Sequence, residues 1–279
     1  MDITNGYYQK IKKLNLKHYA NETEYYSQAG LRSAEEKLLS RLPKGARILD
    51  VGCGSGRFSI NASKLGFAVT GIDIVPEAIA VCKKRAKDEK LSARFFVKDI
   101  TTEVLSEEFD YVFCPRFVIN AISTGEHRKK AIENMYQMCK TGGVLFIESF
   151  NINWIGRGIF LPIKNNMLSI ARKIKIAYCK FTSRKYKGLF PGDITYKANK
   201  TSYAPVGYAH LPSVFEIKKY LTNGKTYSIY EIAYHYKKDV LKPFRYSIWV
   251  IGQKNVPLGN DDFNLEAFLG RGRRSRHAE

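Results

Sequence analysis

The chain contains no long apolar run, and this absence limits the kind of protein it encodes. No stretch of about 18 consecutive apolar residues occurs, so no transmembrane helix is expected. Residues 1–13 are polar and basic and lack the apolar centre of a secretory signal, so secretion is not expected either. The sequence therefore predicts a cytoplasmic protein.

Cysteine is scarce, and its positions match neither a disulfide framework nor a zinc site. The chain has five cysteines, an odd number, and none of them form a C-x-x-C pair. Such spacing suits a reducing compartment and predicts no structural metal. Histidine is equally scarce, with five residues, which leaves few candidates for acid–base chemistry.

Acidic residues are outnumbered by basic ones, with 26 Asp and Glu against 46 Lys and Arg, for a net charge of +20. This excess predicts attraction to an anionic partner such as RNA, an acidic membrane surface or an anionic substrate. A role in solubility alone is the open alternative. Asp193 is the only acid within residues 164–200, which are rich in lysine and arginine. Nothing in the sequence predicts an obligate protein partner.

The most informative segment is residues 48–58, an apolar strand that leads into a glycine-rich turn and then a helix. Gly52, Gly54 and Gly56 stand at alternate positions, which lets the backbone turn tightly and lie against a ligand. Asp50 precedes this turn, and Asp73 ends the next predicted strand, where it can accept hydrogen bonds from two ribose hydroxyls. Together they predict a nucleoside-type cofactor across the carboxyl ends of two neighbouring parallel strands.

The glycine spacing separates this turn from two other phosphate-binding motifs. A dinucleotide fingerprint needs Gly-x-Gly-x-x-Gly, but its third position is Arg57, and no Gly-Lys-Ser/Thr follows for a Walker loop. The pattern Asp-x-Gly-x-Gly-x-Gly, with Asp73 beyond it, resembles motif I and the following acid of class I S-adenosylmethionine-dependent methyltransferases. The resemblance implies S-adenosylmethionine as cofactor and methyl transfer as the reaction.

Strand and helix patterns alternate along the chain and predict an α/β fold. Strands are expected at residues 47–51, 68–72, 93–97, 109–114, 144–150, 226–236 and 244–252, and early helices around residues 7–14 and 24–41. This order predicts a Rossmann-like, doubly wound, seven-stranded sheet, mostly parallel with one antiparallel edge strand.

The expected domain organisation is one methyltransferase domain over residues 1–255. Its core comprises residues 30–150 and 208–255, and a basic insertion after strand five, residues 151–207, is interpreted as a lid. Residues 256–279 are polar and arginine-rich and are expected to be a disordered tail.

The resemblance also implies roles for particular residues. The residues implied at the cofactor are Asp50, Gly52, Cys53, Gly54 and Gly56 around its methionine portion, Asp73 at the ribose, Ile74, Asp99 and Ile100 at the adenine, and Cys114 at the end of strand four. The residues implied at the acceptor are Tyr19, Arg116 and Asn120, and many family members carry a histidine near the last position. The structural alternatives are a helix cap for Asp99, core packing for Ile74 and Ile100, and a surface pair for Arg116 and Asn120.

His210 is the candidate catalytic residue. The methyl group of the cofactor is already activated, so a general base is needed only when the acceptor holds its proton. His210 precedes the helix expected at residues 213–221, on the side where substrate enters. A capping or packed histidine is the structural alternative.

The predicted function is in-line methyl transfer to oxygen or nitrogen of a small acceptor, which the basic insertion suggests is anionic. An RNA methyltransferase is one alternative, because residues 122–132 and 191–193, with His210, somewhat resemble tRNA wobble-uridine carboxymethyl methyltransferases. A lipid or quinone methyltransferase at an anionic membrane surface stays open as well, as does a binding module that keeps the cofactor pocket without catalysing a reaction.

Overall fold

The computed structural model of the protein describes residues 3–20, 23, 27, 29–150, 193–196, 207–210, 212, 214–221, 224–229 and 247–254. The helices are α1 (Ile3–Ala20), α2 (Ser33–Leu39), α3 (Arg57–Lys64), α4 (Pro76–Asp88), α5 (Val118–Ala121), α6 (Gly125–Gln137) and α7 (Val214–Tyr220). The strands are β1 (Arg47–Val51), β2 (Ala68–Asp73), β3 (Arg94–Val97), β4 (Phe109–Cys114), β5 (Cys139–Phe150), β6 (Asp193–Tyr196), β7 (Gly207–His210), β8 (Gly224–Ile229) and β9 (Ser247–Lys254). The expected tail and most of the expected insertion lie outside the described residues.

Seven strands form the main sheet, in the order β3-β2-β1-β4-β5-β9-β8. Strands β1 to β5 pair in parallel, whereas β9 pairs antiparallel with both β5 and β8. This topology confirms the predicted Rossmann-like, mostly parallel α/β fold. The reversed strand is β9, which lies one position in from the edge, and the outermost strand is β8. Strands β6 and β7 pair separately as a short antiparallel ribbon.

Alternating side chains of the sheet build an apolar core on each of its faces. Along β4, Tyr111 and Phe113 pack on one face with residues of α2 and α3. Val112 and Cys114 point to the other face, which α1, α5, α6 and α7 cover. The period of two in a strand requires this division, because successive side chains point to opposite sides.

The region before β1 differs from the sequence-based expectation. Residues 29–32 are not helical, so the helix predicted over residues 24–41 is interrupted, and α2 begins at Ser33. The Glu35 carboxylate accepts a hydrogen bond from the Arg32 backbone N–H at 2.8 Å, which caps the new helix start. The early helix is longer than predicted: α1 has 18 residues.

Candidate functional site

The three glycines of the turn after β1 all have positive φ, but their surroundings differ. The φ angles are +70° at Gly52, +53° at Gly54 and +85° at Gly56. A Cβ at Gly52 would collide with Val118, and one at Gly56 would meet the Cys82 Sγ atom at 3.0 Å. A Cβ at Gly54 would meet nothing within 4 Å. Gly52 and Gly56 therefore permit close packing, whereas Gly54 borders the space that a ligand can occupy.

Asp73 stands at the carboxyl end of β2, directly beside this turn. Its carboxylate accepts hydrogen bonds from the backbone N–H groups of Gly54 at 2.8 Å and Val75 at 2.9 Å. Burial raises the pKa of Asp73, and the backbone hydrogen bonds act in the opposite direction. The Ile74 backbone also donates to this carboxylate, so of its about four acceptor positions about one stays open for a hydroxyl donor. The arrangement fits a ribose hydroxyl.

Asp50 lies within β1, below the turn, and is fully buried. Its Oδ2 atom accepts a hydrogen bond from the Ser59 hydroxyl at 2.5 Å, whereas Oδ1 has no hydrogen-bond partner among the described residues. Burial raises the pKa of Asp50 to about 7, although the Ser59 bond and the Arg57 charge oppose the rise. A buried acceptor without a donor fits a cationic group such as the ammonium of a methionine moiety.

Asp99 follows β3 and is held by more donors than Asp73. Its carboxylate accepts from the Tyr8 hydroxyl at 2.9 Å, from Lys12 Nζ at 2.5 Å, and from the Thr101 N–H and hydroxyl at 2.9 and 2.7 Å. Burial opposes ionisation of Asp99, but the Lys12 and Thr101 hydrogen bonds hold its pKa below the usual value. The acid that the sequence assigned to the adenine is therefore shared with helix α1.

The other predicted cofactor residues lie around these three acids. Cys53 is buried against Cys82, and Ile100 is buried in the core, where its carbonyl accepts from Asn134 Nδ2 at 2.7 Å. Ile74 is half-buried after Asp73, and Cys114 is fully buried at the end of β4. The structure thus places the predicted set at the carboxyl ends of β1, β2, β3 and β4.

Of the predicted acceptor residues, Arg116 and Asn120 are not a surface pair. Asn120 is buried in α5, and its Nδ2 atom donates to the His210 carbonyl at 2.7 Å. Arg116 exposes its side chain, and its backbone N–H donates to the Glu148 carboxylate at 2.8 Å. Tyr19 lies half-buried near the end of α1, edge-to-face with His18.

His210 ends β7 and belongs to a cluster of buried polar groups. Its Nε2 atom lies 3.4 Å from the carboxylate of Glu216 in α7. Arg128 in α6 donates to the same carboxylate from Nε and Nη2, at 3.0 and 2.8 Å. Burial opposes ionisation, but the His210 hydrogen bond and the Arg128 charge lower the pKa of Glu216 to about 2. The carboxylate is therefore ionised beside the imidazole across the physiological range.

Sequence reasoning missed four residues that complete these clusters: Tyr8, Lys12, Arg128 and Glu216. Tyr8 and Lys12 are four residues apart, which places both on one face of a helix. This spacing could have indicated that the two side chains share a partner. Arg128 and Glu216 are 88 residues apart in sequence, so no local pattern indicates their contact.

The fold and the site define a class I S-adenosylmethionine-dependent methyltransferase. A family model described as a methyltransferase domain matches residues 42–233, and the chain belongs to this family. The predicted membership of the class I methyltransferases is thereby confirmed.

Curated relatives include the ubiquinone biosynthesis O-methyltransferase of Coxiella burnetii, which is 32% identical over 114 residues. That match covers 40% of this chain and 46% of the relative. The mitochondrial enzyme of the same name from Mus musculus is 29% identical over 140 residues, which cover 50% of this chain and 38% of the relative. The chain thus spans less than half the length of these two relatives.

Solved structures share the fold at low sequence identity. The CcbJ methyltransferase from Streptomyces caelestis aligns with a TM-score of 0.60 and 9% identity over 86% of this chain and 99% of its own. The N-methyltransferase NodS from Bradyrhizobium japonicum, solved with S-adenosyl-L-homocysteine, has a TM-score of 0.52 and 16% identity over 88% and 97%. At these identities the likeness establishes the fold alone.

The cofactor is S-adenosylmethionine, which supplies a methyl group already activated by the sulfonium. The residues described above fit it, because Gly54 borders open space, Asp73 retains an acceptor position and Asp50 Oδ1 lacks a donor among the described residues. Among the residues that the structure describes, no helix is long and apolar enough to cross a membrane. The same part of the chain contains no cluster of His, Cys, Asp or Glu able to hold a metal.

Proposed function

We propose that this methyltransferase acts on a hydroxyl group of a small molecule, with His210 as the general base. The single observation that carries the proposal is the His210–Glu216 pair beside Asn120. Asn120 Nδ2 contacts both the His210 carbonyl and, at 3.3 Å, the hydroxyl of Ser149 near the end of β5. This contact links His210 to the carboxyl end of β5, which supports a role at the acceptor.

An ionised carboxylate carries no proton, so Glu216 can accept hydrogen bonds but cannot donate them. This property supports a base role for His210. It favours the imidazole tautomer with a proton on Nε2, and the basic electron pair then lies on Nδ1. Arg128 keeps the carboxylate in place and ionised. When the imidazole takes a proton from a hydroxyl acceptor, the negative Glu216 stabilises the charge that forms.

The burial of His210 and Asn120 supports a small acceptor. A quinone-type acceptor is the second candidate, because two relatives are named ubiquinone biosynthesis O-methyltransferases. RNA is the third, and the net charge of +20 favours it.

The acceptor class is tested by methyl transfer from tritium-labelled cofactor into fractionated cell extract. Label in the water-soluble small-molecule fraction supports the proposal, and label in the lipid extract supports the quinone candidate. Label that remains in RNA after phenol extraction, or in protein, contradicts a small-molecule acceptor.

The base role is tested with His210→Ala, once an acceptor is known. General-base catalysis contributes about 10²–10⁴ in rate, so the variant's kcat should fall by about 100-fold or more while cofactor affinity stays within twofold. The deficit should shrink as pH rises, because an acceptor that is already ionised needs no base. Tyr220→Phe is the matched control, since it removes a hydroxyl that lies 3.4 Å from the same Glu216 and has no proton-accepting role. Equal losses in both variants would contradict a base role for His210.

A further inference from the structure

Helix α1 lies over the cofactor side of the sheet with one buried face. The buried residues Tyr8, Ile11, Asn15 and His18 are spaced by three and four positions, which is one face of a helix. The seven residue steps from Tyr8 to Asn15 rise by about 10 Å along the axis. Tyr8 contacts the loop after β3, and Asn15 contacts α5, so the helix extends from the end of β3 to the region after β4.

The family resemblance implies that the cofactor's base lies at Asp99, and the order of the strands agrees with this position. The glycine turn belongs to β1, and Asp73, which fits the ribose, belongs to its neighbour β2. The next strand outward is β3, and the Lys98 N–H donates to the Asp73 carbonyl at 2.9 Å. Asp99, the acid that the resemblance implies at the adenine, is the buried carboxylate that follows Lys98.

The acceptor positions of Asp99 are already filled. A carboxylate has about four, and four donor groups surround this one: the Tyr8 hydroxyl, the Lys12 ammonium, and the N–H and hydroxyl of Thr101. The two hydroxyls also lie 2.8 Å from each other, which links the Tyr8 contact to the Asp99 loop a second time. Thr101 is two residues from Asp99 in a tight loop, so its contacts are local. The two contacts from α1 join segments 87 and 91 residues apart, so they are lost if the helix moves.

We propose that α1 is a latch on the cofactor site, in which Lys12 and Tyr8 compete with the exocyclic amino group of the adenine for Asp99. An amino donor reaches the carboxylate only when at least one α1 donor leaves. The cofactor therefore binds the unlatched fraction of the protein, and its apparent affinity is reduced in proportion to that fraction. Breaking the latch raises cofactor affinity, whereas removing the Asp99 charge lowers it.

Lys12→Met, Asp99→Asn and the control Lys13→Met test this by calorimetry with S-adenosyl-L-homocysteine. Lys13 is the next residue on the same helix and is exposed. We expect Lys12→Met to bind about threefold or more tightly, Asp99→Asn to bind about tenfold more weakly, and Lys13→Met to match the wild type. Opposite signs for the first two variants are the signature of competition. Weaker or unchanged binding by Lys12→Met would overturn the proposal.

Hydrogen exchange of α1 gives a second readout that does not depend on turnover. Saturating S-adenosyl-L-homocysteine should speed exchange in residues 3–20 of the wild type, and Lys12→Met should show the faster exchange without ligand. Slower exchange on ligand binding would mean that the ligand closes α1, which contradicts a latch. A wild type that binds no ligand at all would instead contradict the cofactor assignment.

Discussion

Gly54 and Gly66 both have positive φ, but only Gly54 belongs to the glycine turn after β1. Both have positive φ, +53° and +89°, and a Cβ would meet nothing within 4 Å at either position. Gly66 lies between α3 and β2, at the amino end of that strand and so away from the site. If alanine variants at these two positions differ in ligand affinity, the difference therefore comes from contact with the ligand and not from backbone strain.

We expect Gly54→Ala and Gly66→Ala to lose similar stability, about 1 kcal/mol each, because both force an L-residue into the left-handed region. Only Gly54→Ala should weaken S-adenosyl-L-homocysteine binding, by at least about tenfold, since its methyl group enters the space beside the turn. Calorimetry gives the affinities, and thermal melts give the stabilities. Unchanged affinity in Gly54→Ala would mean that the ligand does not lie against this residue.

The contact between α6 and α7 depends on an ionised carboxylate, which makes it sensitive to acid. Glu216 has a folded-state pKa of about 2, well below the ordinary value of 4.5. A depressed pKa contributes stability that is present above the unfolded-state pKa and is lost as pH falls toward the folded-state value. The contribution of Glu216 should therefore be complete above about pH 5 and disappear between about pH 4.5 and 2.

Glu216→Gln should consequently be less stable than the wild type by about 2 kcal/mol at pH 7, and the difference should narrow below about pH 4.5. Urea unfolding at several pH values from neutral to acidic measures it. Glu133→Gln is the control, because Glu133 also lies on α6 but forms an exposed pair with Lys129 at 3.6 Å. A pH-independent difference in Glu216→Gln would show that the loss comes from packing rather than from charge.

The elements differ in how far the sequence alone predicted them. Strand β1 was predicted over the residues that the structure gives, because Ile48, Leu49 and Val51 form a short apolar pattern between turn signals. Helix α2 is shorter than predicted, because the break at residues 29–32 comes from long-range contacts. Arg57 Nη1 donates to the Gly30 carbonyl at 3.0 Å, and the Arg32 guanidinium pairs with Glu148. Apolar periodicity carries no information about such partners.

The candidate site was predictable where it depends on one short motif and not where it depends on distant pairs. Gly54 and Asp73 follow from spacing, since the turn and the next strand end must lie together in a parallel sheet. The pairing of Lys12 with Asp99 depends on where α1 docks, and 87 residues separate the two. The fold brings these two residues together, and no local sequence pattern indicates their contact.

At the scale of the whole molecule, the net charge of +20 acts independently of the reaction chemistry. A polyanion attracted by this charge binds through phosphate contacts, and these weaken steeply with salt because binding releases counterions. In the proposed function, by contrast, the acceptor lies beside Asn120 and His210, whose buried contacts are screened much less. Affinity for RNA and methyl transfer should therefore respond differently to salt.

We expect affinity for bulk tRNA to fall by at least about tenfold between about 50 and 200 mM salt, because six to ten phosphate contacts lose about 10³–10⁵ over this range and even two contacts lose about tenfold. The initial rate of methyl transfer to the small-molecule fraction should change by less than about twofold over the same range. Filter binding and tritium transfer at matched salt concentrations measure the two quantities. If the rate of methyl transfer falls in parallel with tRNA affinity and the label lies in RNA, RNA is the methyl acceptor. The proposal of a small-molecule acceptor is then wrong.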